Sequence, residues 1–79
     1  MTYIDAYFTL PEKDDITIEK IQDIINKTVE VDYIRELGKY NGEQGALVRT
    51  IKIRLYIHHM IDLKEIMEQG IGAKFILSD

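Results

Sequence analysis

Two segments of the chain alternate hydrophobic residues with polar or aromatic ones, which is the pattern of a strand that buries one face. In the segment 3–10, the inward positions are Ile4, Ala6, Phe8 and Leu10. In the segment 50–58, the inward positions are Ile51, Ile53, Leu55 and Ile57. We therefore predict two half-buried strands, each with a second face that is not hydrophobic.

Two other segments have the spacing of amphipathic helices. Isoleucines at positions 18, 21, 24 and 25 form one face after Thr17, a preferred N-cap residue, which predicts a helix that runs to about Lys27. A second helix is expected to begin at Asp62, because Asp62 and Glu65 have the spacing of a capping box. Gly70 is the expected stop of this helix.

The remaining strand signals complete the predicted fold. Residues 30–40 and 73–77 are rich in strand formers, and imperfect alternation in the first of them predicts a bulge near Ile34. Residues 41–45 predict the turn of a long hairpin, whose tip at 39–46 is expected to project as an arm. The order β-α-β-β-α-β predicts one α+β domain over residues 1–79, a ferredoxin-like sandwich. Its four-stranded antiparallel sheet has the spatial order 4-1-3-2, with both helices on one face.

With both helices on one face, the other face of the sheet is not covered by this chain. The candidate functional residues are three tyrosines and two basic residues that the central strands present there: Tyr3, Tyr7, Lys52, Arg54 and Tyr56. The basic third strand also contains Arg49. If its register holds, the second strand adds Glu30, Asp32, Ile34 and Glu36 to the same face. These acids would then neutralise the basic strand by cross-strand pairing.

Composition favours association with another protein. The chain has 79 residues and no cysteine, so disulfides and the usual structural zinc sites are excluded and a partner chain is a natural source of stability. Tyrosine and arginine are enriched at interfaces, and a face of mixed charge can be self-complementary about a two-fold axis. We expect a small, non-enzymatic, homodimeric interaction domain that binds a protein partner, such as an inhibitor or adaptor encoded by a mobile element.

The alternative is a single-stranded nucleic-acid binder. Proteins of the RRM class stack bases on aromatic residues of these same two strands, and Lys52 and Arg54 could meet phosphates. The net charge of −4 opposes this function, although residues 1–45 carry −5 and residues 46–79 carry +1. The third strand also lacks the RRM sequence pattern. A solvated face with scattered tyrosines is a further interpretation.

Signals for catalysis and for membrane association are weak. His58 and His59 are adjacent on a predicted strand and should point to opposite faces, and Asp5 is a single carboxylate. The acidic loop at 12–15 is typical of the approach to a helix N-terminus. We predict no enzymatic activity, no cofactor and no metal site, and we rank a metal-dependent hydrolase last. Without a long apolar run or signal-peptide features, a cytoplasmic protein that does not contact membranes is expected.

Overall fold

Four strands and two helical segments make up the computed structural model, which describes residues 2–11, 16–41 and 47–79. The strands are β1 (Tyr3–Pro11), β2 (Tyr33–Asn41), β3 (Leu47–Tyr56) and β4 (Lys74–Ser78). The first helical segment is α1 (Ile18–Asn26). The second consists of a 3-10 turn (Ile57–His59), helix α2 (Met60–Glu65) and a π-helical turn (Ile66–Ile71). The acidic loop at 12–15 and residues 42–46 at the predicted hairpin tip lie outside the described residues.

The strands form one antiparallel sheet in the order β2-β3-β1-β4, so β1 and β3 are central and β2 and β4 are at the edges. Ile4 of β1 lies opposite Leu55 of β3, and Phe8 lies opposite Ile51. The hydrophobic positions of both strands therefore share one face, as their alternation predicts. The predicted α+β class, with a four-stranded antiparallel sheet and two helices, is confirmed.

Both helical segments pack on this hydrophobic face, which we call the covered face. One cluster of buried residues joins them to the sheet: Ala6, Phe8, Leu10, Ile21, Ile25, Val29, Ile51, Ile53, Leu55, Leu63, Met67 and Ala73. Burying a large aliphatic or aromatic side chain stabilises a fold by about 1.5–3 kcal/mol. The covered face is therefore the main source of stability among the residues that the structure describes.

Helix α1 forms as its sequence predicts. Thr17 is the N-cap in an extended conformation, and its Oγ1 accepts a hydrogen bond from the Lys20 amide at 3.1 Å. Ile21 and Ile25 are buried one turn apart, and Lys27 is the C-cap. A single polar cap and one apolar face are enough to define this element.

The second helical segment differs from its predicted bounds at both ends. It begins at Ile57 rather than Asp62, and α2 has His59 as an N-cap that makes no side-chain capping bond. Asp62 lies in the first turn of α2 and not at its N-cap. An acidic residue is favourable at both places, so residue type alone does not distinguish an N-cap from a first-turn position. Ile57 is exposed rather than inward.

The segment ends at Gly72 and not at Gly70. Gly72 has φ 84°, a left-handed conformation that favours glycine, and the Ala73 amide then donates to the Met67 carbonyl at 2.9 Å. The π-helical turn extends the segment past the first glycine of Gly70-Ile71-Gly72. Because both positions hold glycine, the sequence pattern alone did not separate them.

The register of β2 corrects the prediction for the uncovered face. Ile34 lies opposite Ile53 and Glu36 lies opposite Ile51, so both belong to the covered face. Ile34 packs against the core cluster, and burial of a hydrophobic side chain is what selects one strand register over the other. Glu36 therefore does not lie beside the basic residues of β3 on the uncovered face, whereas Asp32, just before β2, lies 3.9 Å from Arg54 Nε.

The bulge in β2 also lies later than predicted. The register shifts between Glu36 and Gly38, which leaves Leu37 as the extra residue, three positions beyond Ile34. A bulge inserts one residue without a partner, so alternation breaks at that residue and not before it. The regular part of the strand, Tyr33–Glu36, therefore supplies the two side chains of β2, Tyr33 and Arg35, that lie on the uncovered face.

Candidate functional site

The face of the sheet opposite the helices, which we call the open face, gathers side chains from all four strands. The strand register places on it Tyr3, Asp5, Tyr7, Thr9, Tyr33, Arg35, Thr50, Lys52, Arg54, Tyr56, Lys74 and Leu77, and Val48 lies on the same face beyond Thr50. Within the described ranges, both helical segments pack on the other face. All five residues that the sequence singled out, Tyr3, Tyr7, Lys52, Arg54 and Tyr56, lie together on it.

All of these side chains except Val48 form four rows across the strands. The rows, written from β2 towards β4, are Tyr56-Tyr3, then Tyr33-Arg54-Asp5, then Arg35-Lys52-Tyr7-Leu77, then Thr50-Thr9-Lys74. Residues directly opposite each other in antiparallel strands have side chains within contact distance. The rows therefore place aromatic rings beside charged groups over most of the open face.

The first row is an aromatic stack. The rings of Tyr3 and Tyr56 have centroids 4.3 Å apart and an interplanar angle of 25°. The column continues through His58, whose ring centroid is 5.7 Å from that of Tyr56, and His59 is 4.2 Å beyond. One end of the open face thus consists of four aromatic side chains in contact.

The carboxylate of Asp5 organises the second row. It lies 3.3 Å from Arg54 Nη1 and 3.8 Å from Lys52 Nζ, and its side chain is 17% exposed. Arg54 Nε also lies 3.9 Å from the carboxylate of Asp32, just before β2. One half-buried acid therefore fixes two cations in the middle of the face.

Tyrosine rings also contact Lys52 and a further cation of the open face, Arg35. Lys52 Nζ lies 6.0 Å from the ring centroid of Tyr7 and 5.9 Å from that of Tyr33. The guanidinium of Arg35 lies 4.6 Å from the ring centroid of Tyr33, on the same edge of the sheet. Such cation–π contacts restrict the rotamers of long side chains before any partner binds.

Two pKa values on this face are raised by these neighbours. A hydrogen bond with Tyr56 and removal from water raise the pKa of Tyr3 to about 12, and the charges of Asp32 and Glu30 act in the same direction. A hydrogen bond with Tyr33 raises the pKa of Lys52, and the negative charge of Asp5 adds to this effect. Tyr3 is therefore neutral and Lys52 is charged at neutral pH.

Sequence reasoning missed Tyr33 and Arg35, and it misplaced Arg49. Tyr33 and Arg35 reach the open face only because β2 has the register that buries Ile34. Arg49 lies on the covered side, 5% exposed, and is not part of the basic face. Its position two residues before Ile51 already gives it an inward place in the alternation, and this signal could have found it.

The buried side chain of Arg49 is held by a network of hydrogen bonds. Its Nη2 and Nε donate to Glu36 Oε1 at 2.6 and 3.1 Å, and its Nη1 donates to the Ile16 carbonyl. This network ties β2 and β3 to the chain segment that leads into α1. Its geometry is that of a structural ion pair.

The histidines do not take the positions predicted for them. Because β3 ends at Tyr56, His58 and His59 belong to a 3-10 turn, and their rings are tilted at 45° to each other rather than on opposite sheet faces. Across the described residues, no group of three or more His, Cys, Asp or Glu side chains could hold a metal ion.

A cleft lies between the two helical segments. It is open, has a volume of about 420 Å³, and is lined by Ile24, Lys27 and Thr28 on one side and by Asp62, Glu65 and Ile66 on the other.

In the parts of the chain that the structure describes, no helix is long and apolar enough to cross a membrane. Comparison with models of known protein families gives no match, and comparison with curated proteins gives no relative.

Proposed function

We propose that the chain is a non-enzymatic protein-interaction domain that works through its open face, in the simplest case by forming a homodimer. An inhibitor or adaptor encoded by a mobile element is the kind of protein that we favour within this class. One observation carries the proposal: four tyrosines on one face, together with the cations Arg35, Lys52 and Arg54, are already ordered by contacts with one another.

The open face is suited to a protein partner because its long side chains are already ordered before binding. Immobilising a long side chain at an interface costs about 0.5–1.5 kcal/mol, and Lys52 and Arg54 are already held by Asp5 and by tyrosine rings. Tyrosine and arginine are also the residues that contribute most to binding at protein interfaces. A broad face of this kind, formed by one side of a sheet, fits another protein surface better than it fits a small molecule.

The arrangement of the elements supports a more specific fold assignment. We infer a ferredoxin-like sandwich, because β1 and β3 are central and both helical segments lie on one face. In such a sandwich, two helices and one sheet make only two layers. The open face is then a regular part of the architecture that is available for binding.

Light scattering over a range of protein concentrations tests this function. We expect the mass of a dimer at high concentration, and we expect Tyr7→Glu to shift the equilibrium towards the monomer because position 7 lies inside the open face. Gln22→Glu, on the exposed surface of α1, makes a matched control that should behave as the wild type. A wild-type protein that stays monomeric at every concentration would overturn the homodimer.

The register of β2 favours a second candidate function, the binding of single-stranded nucleic acid. It brings Tyr33 and Arg35 next to Lys52 and Tyr7, and aromatic stacking contributes about 1–3 kcal/mol per base. Titration of a labelled oligonucleotide at low and high salt tests this alternative. Binding that weakens with salt and is lost when Tyr7→Ala is combined with Arg54→Ala would support it. No binding at low salt would remove it.

A further inference from the structure

We infer that the partner on the open face is a second copy of this chain, turned end for end, so that the acidic end of one face lies on the basic end of the other. This inference rests on the proposed function and specifies its partner and orientation. It is carried by the separation of charge along the strands, which is independent of the aromatic contacts described above.

The acidic end of the open face comprises the first two rows and the residues beside them. Its carboxylates are Asp5, Asp79, Glu30 and Asp32. Asp79 extends the row of Asp5, since the two exchange backbone hydrogen bonds of 3.0 and 2.8 Å. Glu30 and Asp32 line a small cleft together with Tyr3 and Tyr56. With Arg54 as its one cation, this end has four negative charges and one positive charge, a formal charge of −3.

The basic end comprises the last two rows. Arg35 and Lys52 are paired across β2 and β3, and Lys74 lies opposite Thr9 on the other edge. The other side chains that the register places in these rows are uncharged: Tyr7, Thr9, Thr50 and Leu77. Three cations give this end a formal charge of +3. The two ends of one face are therefore equal and opposite in charge.

The separation of charge along the strands determines how the two copies of a two-fold dimer are oriented. Two faces stacked about a two-fold axis present the same surface to each other. An axis that runs along the strands places acidic end on acidic end, whereas an axis that runs across the strands places acidic end on basic end in both halves of the interface. Like charges placed opposite each other at an interface cost several kcal/mol. Charge therefore selects the axis across the strands.

The same separation argues against nucleic acid as the occupant. A polyanion matches the basic end of the face, but along the strands it meets the carboxylates of the acidic end. A second copy satisfies both ends at once. Self-complementarity of this kind is a specific property of the described charges and does not follow from the net charge of the chain.

The size of the face sets the strength of the dimer. Strands about 4.8 Å apart and rows about 6.8 Å apart give a face of about 19 by 27 Å, or about 500 Å² in each copy. Specific interfaces start at about 1,000 Å² in total, so this one lies at the lower limit. We therefore expect a weak dimer that depends on concentration. It should dissociate as salt rises, because the Debye length at 0.1 M is only about 10 Å.

A charge-swap experiment tests the orientation. The first variant reverses the acidic end with Glu30→Lys and Asp32→Lys, and the second reverses the basic end with Arg35→Glu and Lys74→Glu; all four residues are exposed. Each variant alone places like charges together in both halves of the dimer and should raise the dissociation constant about tenfold or more. In an equimolar mixture the facing ends have opposite formal charges, +1 against −1 in one half and +3 against −3 in the other, so dimers should return towards the wild-type level.

Sedimentation velocity at low salt measures all of these species, and circular dichroism checks that each variant is folded. The matched control is Glu19→Lys with Asp23→Lys on the exposed surface of α1, which changes the net charge as the first variant does and should leave the dimer intact. If the wild type dimerises but either single variant does so equally well, or the mixture stays monomeric, the orientation is wrong and the proposed function survives. A monomeric wild type that binds an oligonucleotide through Arg35 and Lys74 would overturn both.

Discussion

The two faces of the sheet come from the same strands, yet they differ in almost every physical property. Phe8 and Tyr7 are neighbours in β1, but Phe8 is fully buried against the helical segments and Tyr7 is half-buried among polar groups. The covered face is held by hydrophobic packing, and the open face is held by ring, cation and carboxylate contacts. One alternating strand can thus supply stability with every second residue and a binding surface with the others.

Ion pairs show the same contrast. On the covered face, Arg49 and Glu36 are joined at 2.6 Å with side-chain exposures of 6% and 26%. On the open face, Arg54 and Asp5 are 3.3 Å apart with exposures of 38% and 17%. The guanidinium of the first pair is buried and serves the fold, whereas the guanidinium of the second pair is within reach of a partner.

Replacing adjacent residues of β1 should give the largest difference between the faces. We expect Phe8→Ala to lower the free energy of unfolding by about 3–5 kcal/mol, because it leaves a cavity in the core. Tyr7→Ala should lower it by about 1 kcal/mol, since only cross-strand contacts are lost. Urea unfolding measures both. Equal losses would mean that the open face is a second core.

Breaking the Arg49–Glu36 ion pair of the covered face should have the next largest effect. Glu36→Gln leaves the buried guanidinium of Arg49 without its charged partner, and we expect a loss of about 2 kcal/mol in the free energy of unfolding. Thermal and urea unfolding of this variant give the value. A loss below that of Asp5→Asn would contradict the structural role assigned to the pair.

The Arg54–Asp5 pair of the open face should contribute less to the free energy of unfolding than the Arg49–Glu36 pair, and its contribution should depend on salt. We expect Asp5→Asn to lower the free energy of unfolding by about 0.5–1 kcal/mol, because Arg54 keeps Asp32 as a partner and the group is partly solvated. The difference from the wild type should shrink in high salt, which screens exposed charges. Urea unfolding of both proteins at two salt concentrations measures this difference. A difference that does not vary with salt would contradict the prediction.

The smallest effect concerns alkaline pH. The pKa of Tyr3 is raised from 10.0 to about 12, so the folded state holds its proton while the unfolded state loses it. This contribution to stability is complete below pH 10 and disappears as the pH rises towards 12. The raised pKa of Lys52 acts in the same direction.

Titration of the tyrosinate absorbance, together with melting temperatures over the same pH range, measures this effect. Tyr3→Phe should flatten the decline of stability in that range, and Tyr7→Phe serves as the control for loss of a hydroxyl from β1. An unchanged decline in Tyr3→Phe would show that the Tyr3–Tyr56 contact does not cause it.

Elements with a strong local signal were predictable from sequence, and elements decided by distant contacts were not. Thr17 capped α1 as expected, and alternation placed Phe8 and Ile51 on one face. The register of β2 depended on whether Ile34 reached the core, which is a contact between distant parts of the chain. The five candidate residues on the open face were therefore foreseen, and Tyr33 and Arg35 were not.

Both edge strands contain one residue without a partner, Leu37 in β2 and Ile76 in β4. Such an interruption prevents a straight row of free amides and carbonyls from forming a template for another chain. The side chains of Leu37 and Ile76 are themselves exposed, so these two sites would otherwise be the places where sheets join sideways into ribbons and fibrils. Deleting either residue should make the protein more prone to aggregate in concentrated solution, even where its fold is retained.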